Sequence, residues 1–512
     1  MTIAAVAPVD SRADGVTILA EIGGLVRRLR DAEVAYCHWK SNEHLAASLA
    51  GLTDLDVLVA RGAIPRLAAA LADTSFRRTE SLGARRYPGI ESYLGLDAAT
   101  GTVLHLHLHY QLTVGERYLK GYRLPWEEHL LATRRAGEGG VLVPEPSLEL
   151  LLLLVRSALK LRTRDRLLAD GGRPWPSGGA ARELAWLRER ADQVRLEALA
   201  SSLLGTPAAH VVREMLAAPA PTVRHFGALA RAARPALEAC RTFGPAEARL
   251  RRWIREGQRL AGDASWWPGS GARPSRRALP QGGLVIAFVG PDGAGKSTLV
   301  HAVHGWLATH LDARMVYFGS GQGPVSPWRR ALQGVAAVVR HARGGHPVAT
   351  EGHVLRRGRS RSRLRSLGDA LWVMALARER RRCAAFARRA RNLGCIVLCD
   401  RFPQSEVPGN EGPTVAHWQE HPSWWRRAAA RSERAAILAA EQLRPDLVVK
   451  LRVEYGVARH RKPDTPEDQL ALKLDILSRL EFASALRVVE VDANRALPEV
   501  LRDVQRLVWE RI

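Results

Sequence analysis

The sequence predicts an α/β protein with more than one domain, and three observations lead to this prediction. The chain has 512 residues, whereas roughly 150 residues is the usual length of one domain. Hydrophobic residues make up 46% and charged residues 25%, which is typical of a globular protein and excludes a wholly disordered chain. After residue 283, short apolar segments alternate with longer helical patterns, which favours a mostly parallel sheet covered by helices.

Residues 1–145 predict a small α/β domain. Its predicted elements are a helix at 18–30 and strands at 36–38, 55–59 and 103–108. In the last of these strands leucine alternates with His105, His107 and His109, which is the period of a strand with one apolar face. Residues 146–261 are rich in Leu, Arg and Ala and predict a helical extension of this domain.

The rest of the chain predicts a second α/β domain. Residues 262–283 are rich in Gly, Pro and Ser and predict a linker, so the new domain covers residues 284–512. Its predicted strands lie at 284–289, 314–318, 395–399, 446–451 and 487–491. Its predicted helices lie at 296–310, 367–393, 424–442, 467–485 and 496–510. Five strands separated by helices predict a parallel five-stranded sheet flanked by helices.

The formal net charge of +24 is unevenly distributed along the chain. Residues 1–150 have a net charge of −2, and residues 354–391 alone have a net charge of +11. The net charge of the N-terminal part therefore does not favour binding of nucleic acid, and nucleic acid is not an expected partner. The basic segment at 354–391 has three interpretations: contact with an anionic membrane, a patch for polyanions, or a solvated face with some arginines lining a cleft.

Cysteine usage and the apolar segments predict a cytoplasmic protein. The five cysteines are an odd number without a Cys-x-x-Cys pair, which argues against a disulfide framework and for a reducing compartment. Residues 1–14 lack the basic start of a signal peptide. The most apolar segment, Leu148–Val155, contains Glu149 and is far shorter than the roughly 20 residues that span a bilayer.

The strongest functional signal is a phosphate-binding loop after the first strand of the second domain. Residues 290–297 read Gly-Pro-Asp-Gly-Ala-Gly-Lys-Ser and match G-x-x-x-x-G-K-[ST] between an apolar strand and a helix. Glycines let backbone N–H groups turn toward phosphate oxygens, Lys296 is expected to reach the β- and γ-phosphates, and the Ser297 hydroxyl to bind Mg²⁺. The predicted nucleotide-binding residues are Gly290, Asp292, Gly293, Gly295, Lys296, Ser297 and Thr298.

Two later segments complete the predicted catalytic set, which consists of Lys296, Asp400, Arg401, Arg459 and Arg461. Asp400 follows the third predicted strand, where a carboxylate beside a phosphate loop is placed to hold Mg²⁺. Arg401 could clamp an acceptor phosphate with two hydrogen bonds, although a plain strand-end turn is the alternative. Arg459 and Arg461 follow the fourth predicted strand. They are expected on a mobile flap that neutralises the transferring phosphoryl group, with a solvated basic turn as the alternative.

These motifs make residues 284–512 resemble the thymidylate kinase family of P-loop nucleoside monophosphate kinases. The matching residues are the phosphate loop through Thr298, Asp400-Arg401-Phe402 with Ser405 at the family spacing, and the basic pair Arg459 and Arg461. The resemblance implies transfer of the γ-phosphoryl group from ATP to a nucleoside monophosphate with Mg²⁺. It also implies that Asp292 contacts the sugar of the acceptor and that Arg401 binds its phosphate.

Two segments depart from the family pattern. After Ser405 the family has an Ala-Tyr-Gln segment that helps hold the base, and residues 406–413 replace it here. The family's Arg-Glu-Pro-Gly-Gly segment is also missing, and residues 318–324 read Phe-Gly-Ser-Gly-Gln-Gly-Pro in its place. The ATP half of the site is therefore expected to be retained. The acceptor is expected to be a phosphorylated or hydroxylated small molecule. The resemblance does not identify thymidylate as that acceptor.

Residues 40–59 resemble the nucleotidyltransferase fold of the polymerase-β type. A turn with Ser41 precedes Asp54 and Asp56 on a strand, and two carboxylates two residues apart point the same way and could both hold Mg²⁺. Lys40 stands where the family has a glycine, and histidines occupy the strand expected to carry a third carboxylate. These histidines could bind a metal or a phosphate, or have no ligand. The resemblance is closest to divergent, uncharacterised nucleotidyltransferase-like domains.

The leading hypothesis is a Mg²⁺- and ATP-dependent phosphotransferase fused to a degenerate nucleotidyltransferase-like domain. One alternative is a nucleotide-gated binding or scaffold protein that uses the Arg-rich face. A second alternative is an active nucleotidyltransferase with a P-loop domain that senses nucleotide. The sequence predicts no particular oligomeric state.

Overall fold

The computed structural model divides the chain into two compact units. It describes residues 12–13, 16–81, 86–116, 119–162, 174–263, 274, 276–319 and 363–512. The first unit is Met1–Ser265 and the second is Trp266–Ile512, so their boundary falls within the predicted linker. The predicted helical extension lies in the first unit. The predictions for residues 320–324 and 354–362 lie outside the described residues.

The first unit is built around a mixed β-sheet. Its strands are β1 (Arg12–Ala13), β2 (Val16–Thr17), β3 (Tyr36–His38), β4 (Leu55–Val59), β5 (Arg77–Ser81), β6 (Ile90–Asp97), β7 (Thr102–His109), β8 (Leu112–Val114), β9 (Tyr122–Leu124), β10 (Arg135–Ala136) and β11 (Leu142–Val143). Within this unit the sheet order is β5–β6–β7–β4–β3. The β4 and β7 strands run parallel, and the other neighbours run antiparallel. Two strands of this sheet, β5 and β6, were not predicted, and β5 contains no apolar residue that would give a strand pattern.

Helices cover this sheet, and the later helices of the unit form a second hydrophobic core. They are α1 (Ala20–Asp31), α2 (Leu45–Leu49), α3 (Ile64–Ala72), α4 (Glu127–Ala132), α5 (Pro146–Lys160), α6 (Gly179–Arg188), α7 (Gln193–Leu204), α8 (Thr206–Ala217), α9 (Val223–Ala232), α10 (Arg234–Glu238) and α11 (Pro245–Asp263). The α5 helix is buried over nearly its whole length, and its Glu149 accepts hydrogen bonds from Asn42. Among the described residues, no helix is both long and apolar enough to cross a membrane.

The second unit contains a parallel five-stranded sheet, as predicted. Its strands are β12 (Arg277–Ala278), β13 (Val285–Val289), β14 (Ala313–Tyr317), β15 (Ile396–Asp400), β16 (Leu447–Arg452) and β17 (Val488–Asp492). The last five form the sheet in the order β14–β15–β13–β16–β17, with every pair parallel. The first of these five strands along the chain, β13, is thus central in the sheet. The later strands are added first on one side of it and then on the other. Ligands bind at such a point, beyond the carboxyl ends of the strands.

The second unit has six α-helices among its described residues. They are α12 (Lys296–Ala308), α13 (Arg363–Asn392), α14 (Trp424–Glu441), α15 (Tyr455–Arg461), α16 (Glu467–Arg479) and α17 (Leu497–Trp509). One core joins Val285, Ala287 and Val289 of the central strand to Ala387 of α13 and Leu477 of α16. Every residue of β13 and β15 is buried, so both faces of these strands are covered. This explains their continuous apolar sequences.

One predicted helix is shorter in the structure than in the sequence analysis. We expected a helix from 467 to 485, but α16 ends at Arg479. Phe482 has a φ of +52° and is buried, so the chain turns there. The Glu406 carboxylate accepts hydrogen bonds from the backbone N–H groups of residues 481–483. These bonds satisfy donors that a continuing helix would have paired internally, and the pairing with a residue so far away in sequence was not predictable.

Candidate functional site

The loop between β13 and α12 has the backbone shape that its glycines predicted. Gly293 and Gly295 have φ angles of +81° and +83°, in the left-handed region that favours glycine. A Cβ atom on Gly293 would collide with the backbone of Ala458 in α15. The loop leads directly into α12, which begins at Lys296. Such a loop before the positive end of a helix is suited to phosphate groups.

Lys296 is buried inside this loop. Its ammonium group donates a hydrogen bond to the carbonyl oxygen of Pro291 at 2.7 Å, and only 6% of the residue is exposed. Burial and, after it, the nearby Arg401 guanidinium lower the pKa of Lys296 to about 7. The lysine therefore lacks a full counter-charge, which an anionic ligand could supply.

Ser297 and Asp400 come together beside the loop, as the sequence predicted for a magnesium site. The Ser297 hydroxyl donates to Oδ2 of Asp400 at 2.6 Å, although the two residues are 103 positions apart. The other carboxylate oxygen, Oδ1, is buried and has no hydrogen-bond partner among the described residues. A hydroxyl beside an unpartnered carboxylate oxygen is the oxygen donor set that Mg²⁺ prefers. These two residues therefore fit a magnesium ion, while the neighbouring Thr298 is exposed on the first turn of α12.

Asp292 of the loop is surrounded by cationic side chains. Its Oδ1 lies 3.2 Å from Nη2 of Arg401, its Oδ2 is bound by Lys473 of α16, and Lys462 lies 3.9 Å away. Burial alone would raise the pKa of Asp292, but Lys473, Lys296 and Arg401 hold it well below the ordinary value. Asp292 is therefore ionised and fixes Arg401 beside the phosphate loop.

A second carboxylate, Glu411, holds the other side of Arg401. Arg401 donates to Oε1 of Glu411 at 3.0 Å, and Arg380 of α13 donates to Oε2 at 2.7 Å. Arg380 also donates to the carbonyl oxygen of Phe318 at the end of β14. Glu411 comes from residues 406–413, the segment that replaces the family's base-holding segment. The rewritten segment therefore lies beside Arg401, the residue predicted to bind the phosphate of the acceptor.

Three residues of this site were not predicted from the sequence: Glu411, Arg380 and Lys473. Lys473 had a detectable signal, because it lies on the same face of α16 as buried Leu470 and Leu477. A lysine at such a position must find an anionic or polar partner. Arg380 was one of many arginines in the basic segment, and nothing in its local sequence distinguishes it. Only the packing of α13 against the edge of the site does so.

The two arginines expected on a flap lie on or at the end of helix α15. Arg459 donates to the carbonyl oxygen of Thr465 at 2.5 Å and pairs with Glu467 at 3.4 Å. Arg461 donates to the carbonyl oxygen of Ala493 at 2.8 Å. The backbone of this helix packs against Gly293 of the phosphate loop at Ala458. Both arginines therefore belong to a helix that contacts the loop. Their catalytic role stays a prediction, because their described contacts are with neighbouring backbone and Glu467.

The described part of the basic segment, residues 363–391, forms most of α13. Besides Arg380, Arg391 is engaged, since it donates to Oδ1 of Asp446 and to the carbonyl oxygen of Leu443. Arg388 lies 3.5 Å from the side chain of Gln442. Arg380 therefore lies beside the site, whereas Arg391 and Arg388 contact neighbouring parts of the fold. The three interpretations of the basic segment stay predictions. The interpretations of residues 354–362 lie outside the described residues.

Asp54 and Asp56 lie on the same side of β4 in the first unit, as their spacing predicted. His105 Nδ1 lies 2.7 Å from Oδ1 of Asp54, and Lys40 Nζ lies 2.9 Å from Oδ1 of Asp56. Burial would raise the pKa of Asp56, but Lys40 and neighbouring imidazoles hold it well below the ordinary value. Both carboxylates are therefore ionised and already have nitrogen partners.

His107 and His109 of β7 complete this cluster. His107 Nδ1 lies 3.8 Å from Oδ2 of Asp54 and 3.5 Å from Oδ1 of Asp56. His109 Nε2 lies 3.2 Å from Oδ1 of Asp56, and burial lowers the pKa of His109 to about 3. Magnesium prefers oxygen ligands in octahedral geometry. A site in which imidazole nitrogens outnumber the carboxylates does not fit that ion, so we derive no magnesium chemistry here.

Comparisons with known proteins concern the C-terminal part of the chain. No family model matches the chain. The chain is 28% identical to the uncharacterized ATP-binding protein YghR of Escherichia coli K12 over 232 residues, which are 44% of this chain and 86% of YghR. It is 27% identical to the uncharacterized ATP-binding protein YghS of the same organism over 227 residues, 44% of this chain and 92% of YghS.

A thymidylate kinase is also among the similar proteins. The chain is 26% identical to the thymidylate kinase of Symbiobacterium thermophilum over 231 residues, which are 44% of this chain and 93% of that enzyme. These similarities do not extend to the N-terminal unit. Together with the parallel sheet and the loop geometry, they indicate that the C-terminal unit is a nucleotide-binding, P-loop kinase-like domain.

Proposed function

We propose that the C-terminal unit transfers the γ-phosphoryl group of ATP to a small-molecule acceptor in the presence of Mg²⁺. One observation carries this proposal: the Ser297 hydroxyl and the Asp400 carboxylate meet beside the phosphate loop, and one Asp400 oxygen is buried without a partner. That arrangement suits a Mg²⁺-bound nucleoside triphosphate, which is the phosphoryl donor of kinases. The similarity to thymidylate kinase supports the same reaction class.

The residues of the site divide the work of phosphoryl transfer. Ser297 and Asp400 would hold Mg²⁺, which neutralises charge on the phosphates when bound. Lys296 would bind the β- and γ-phosphates from inside the loop, because its buried ammonium is poorly compensated in their absence. Lys296, Asp292 and Asp400 are buried, so interactions of these side chains act in surroundings of lower polarity than water.

The acceptor would bind on the side of Arg401 and Arg380. The guanidinium of Arg401 is already aimed by Asp292 and Glu411, which limits the entropy lost when it binds a ligand. Two arginines are matched to a phosphate or carboxylate group by their planar donor pairs. We therefore propose an acceptor with an anionic group, a phosphorylated small molecule before a merely hydroxylated one.

The direct test incubates the full chain with Mg²⁺, ATP and a panel of nucleoside monophosphates, sugar phosphates and hydroxylated small molecules. One arm carries γ-labelled ATP and a second arm carries α-labelled ATP. Movement of γ-label to an acceptor supports the proposal. Tight ATP binding with no transfer to any acceptor would instead favour the scaffold alternative, and movement of α-label would favour an active nucleotidyltransferase.

We also propose that the N-terminal unit is nucleotidyltransferase-like in origin and has lost transferase activity. The support lies in Asp54 and Asp56, whose carboxylates are engaged by His105 and Lys40. In addition, the adjacent strand carries histidines where a third carboxylate is expected. The α-labelled arm of the experiment tests this proposal, since any transfer of α-label that depends on Asp54 would contradict it.

ATP binding should take up a proton at pH 8. The pKa of Lys296 is lowered to about 7 in the free protein, so at pH 8 most molecules have a neutral lysine. Bound phosphates favour the charged form and raise this pKa, so binding should take up nearly one proton at pH 8 and far less at pH 6. The dissociation constant should accordingly rise about tenfold per pH unit above 7.

Isothermal titration calorimetry in buffers of different ionisation enthalpy measures this proton uptake directly. The Lys296→Met variant provides the baseline, because it retains the volume of the side chain and cannot bind the proton. Equal proton uptake by wild type and variant would show that another group titrates.

Replacing Arg401 with lysine should weaken the acceptor more than ATP. Lysine keeps the charge but loses the paired donors that match an anionic group, so the acceptor KM should rise about 10-fold to 100-fold. The KM for ATP should change by less than about threefold, since phosphate-loop residues bind that substrate. Arg391→Lys is the matched control, because Arg391 pairs with Asp446 and lies outside the proposed acceptor contacts. A higher KM for ATP alone would place Arg401 on the nucleotide side.

A further inference from the structure

The Asp/His cluster of the first unit is held by two neighbouring parallel strands. Asp56 of β4 is directly paired with His107 of β7 in the sheet register. His107 and His109 are two residues apart on one strand, so their side chains lie on the same face. Three side chains from two rigid strands therefore converge without help from a loop, which is a favourable basis for a precise site.

The distances within this cluster match those between ligands of one metal ion. Oδ1 of Asp56 lies 3.5 Å from Nδ1 of His107 and 3.2 Å from Nε2 of His109, and the three ligand atoms all lie within 4.8 Å of one another. Ligands bound tetrahedrally at about 2.0–2.2 Å lie roughly 3.3–3.6 Å from each other. The carboxylate oxygen of Asp56 is thus close to the required spacing from both imidazole nitrogens.

The neighbouring pair Asp54 and His105 plays a different part. Nδ1 of His105 lies 2.7 Å from Asp54, and Nε2 lies 2.8 Å from the hydroxyl of Ser92. Both ring nitrogens of His105 are therefore engaged, and its side chain is 4% exposed. His105 can hold Asp54 in place but has no nitrogen left for a metal ion. Half of the Asp54 side chain is exposed, which leaves the cluster accessible from that side.

We propose that Asp56, His107 and His109 bind one divalent transition-metal ion of the zinc type. Two imidazoles and one carboxylate form a donor set for zinc, iron or similar ions, with at least one position left for water or an anion. Magnesium is disfavoured at this place because of the imidazole nitrogens. This assignment is independent of the phosphotransferase proposed for the C-terminal unit and replaces the magnesium site expected at Asp54 and Asp56.

Lys40 provides an internal check on the assignment. Its ammonium lies 2.9 Å from the Asp56 oxygen that faces both histidines, and therefore opposes a cation at the same oxygen. Removing this charge should tighten metal binding about tenfold. A purely structural role for the cluster predicts no such gain, since loss of Lys40 would leave Asp56 with fewer partners and would not create affinity for a metal.

The test titrates the full chain, freed of metals by chelation, with Co²⁺ in millimolar Mg²⁺. Magnesium occupies the oxygen site at Ser297 and Asp400, whereas it does not compete for imidazole. Wild type should bind one Co²⁺ with the intense visible absorption of a four- or five-coordinate ion, and one equivalent of Zn²⁺ should displace it. The His107→Gln variant should bind Co²⁺ at least about 100-fold more weakly, and Lys40→Met should bind it more tightly.

Matched variants keep this test decisive. His129→Gln removes an exposed histidine of the same unit and should leave Co²⁺ binding unchanged. His107 is 26% exposed, so its variant should retain the circular dichroism and melting temperature of the metal-free wild type; if it does not fold, Asp56→Asn takes its place. Absence of cobalt absorption in wild type, or equal affinity in the folded ligand variant, would overturn the assignment. So would weaker binding in Lys40→Met.

Discussion

Lys296→Met should reduce γ-phosphoryl transfer by about 10³-fold or more at saturating substrates. Lys296 has the only charged side chain among residues 293–297. Its ammonium group is buried where a phosphate would bind. Methionine fills nearly the same volume, so the loss is electrostatic. Steady-state transfer of γ-label from ATP measures the effect.

The same variant should not destabilise the free protein. Because burial lowers the pKa of Lys296 to about 7, the charged lysine costs stability, and this cost is fully present below pH 7. As pH rises from 7 toward the pKa of an unfolded lysine, the folded state is relieved of the cost. At pH 6 the melting temperature of Lys296→Met should therefore equal or exceed that of wild type.

A second buried lysine provides the control for this experiment. Lys450 of β16 donates to the carbonyl oxygen of Leu480 and pairs with Glu490. Lys450→Met should lower the melting temperature but retain most of the transfer rate. If Lys296→Met kept transfer within about tenfold of wild type, the phosphoryl group would not be handled by this loop.

Asp400→Asn should lower kcat about 10²-fold to 10³-fold and raise the Mg²⁺ concentration needed for half-maximal activity. Asparagine has the shape of aspartate and can still accept the Ser297 hydrogen bond, but it carries no charge for the metal. The loss should be smaller at high Mg²⁺, and a titration of activity against Mg²⁺ measures the shift.

Another carboxylate of the same domain separates this effect from a loss of stability. Asp446 accepts hydrogen bonds from the backbone of Val285 and from Arg391, so Asp446→Asn should destabilise the fold. Its Mg²⁺ dependence should match that of wild type. An unchanged Mg²⁺ requirement in Asp400→Asn would remove Asp400 from the metal site.

Most of the second unit could be predicted from sequence because its signals are local. The central strand is a continuous apolar segment, and the loop after it requires glycine at two left-handed positions. The nucleotide half of the candidate site was predictable for the same reason. Its residues are contiguous from 290 to 298 and lie at a strand–helix junction.

The proposed acceptor half of the site could be predicted only in part. Arg401 follows a predicted strand, but the residues around it come from four separate elements. Asp292 of the phosphate loop and Glu411 bind its guanidinium, and Lys473 and Arg380 hold those two carboxylates. Glu411 lies in a loop, Lys473 in α16 and Arg380 in α13, and none of them is near Arg401 in sequence except Glu411. Their local sequences are those of an ordinary surface loop and ordinary charged helices.

The sequence by itself determined the α/β class, the parallel sheet of the second unit and the position of the phosphate loop. These properties depend on apolar periodicity and on glycine conformation, which act over a few residues. The tertiary structure decided which charges meet. It brought Asp400 into hydrogen-bond contact with Ser297 and Glu411 into contact with Arg401. It also brought three histidines next to Asp54 and Asp56. Electrostatic interactions act across space between residues far apart in the chain, so only the folded arrangement assigns each charged group its partner.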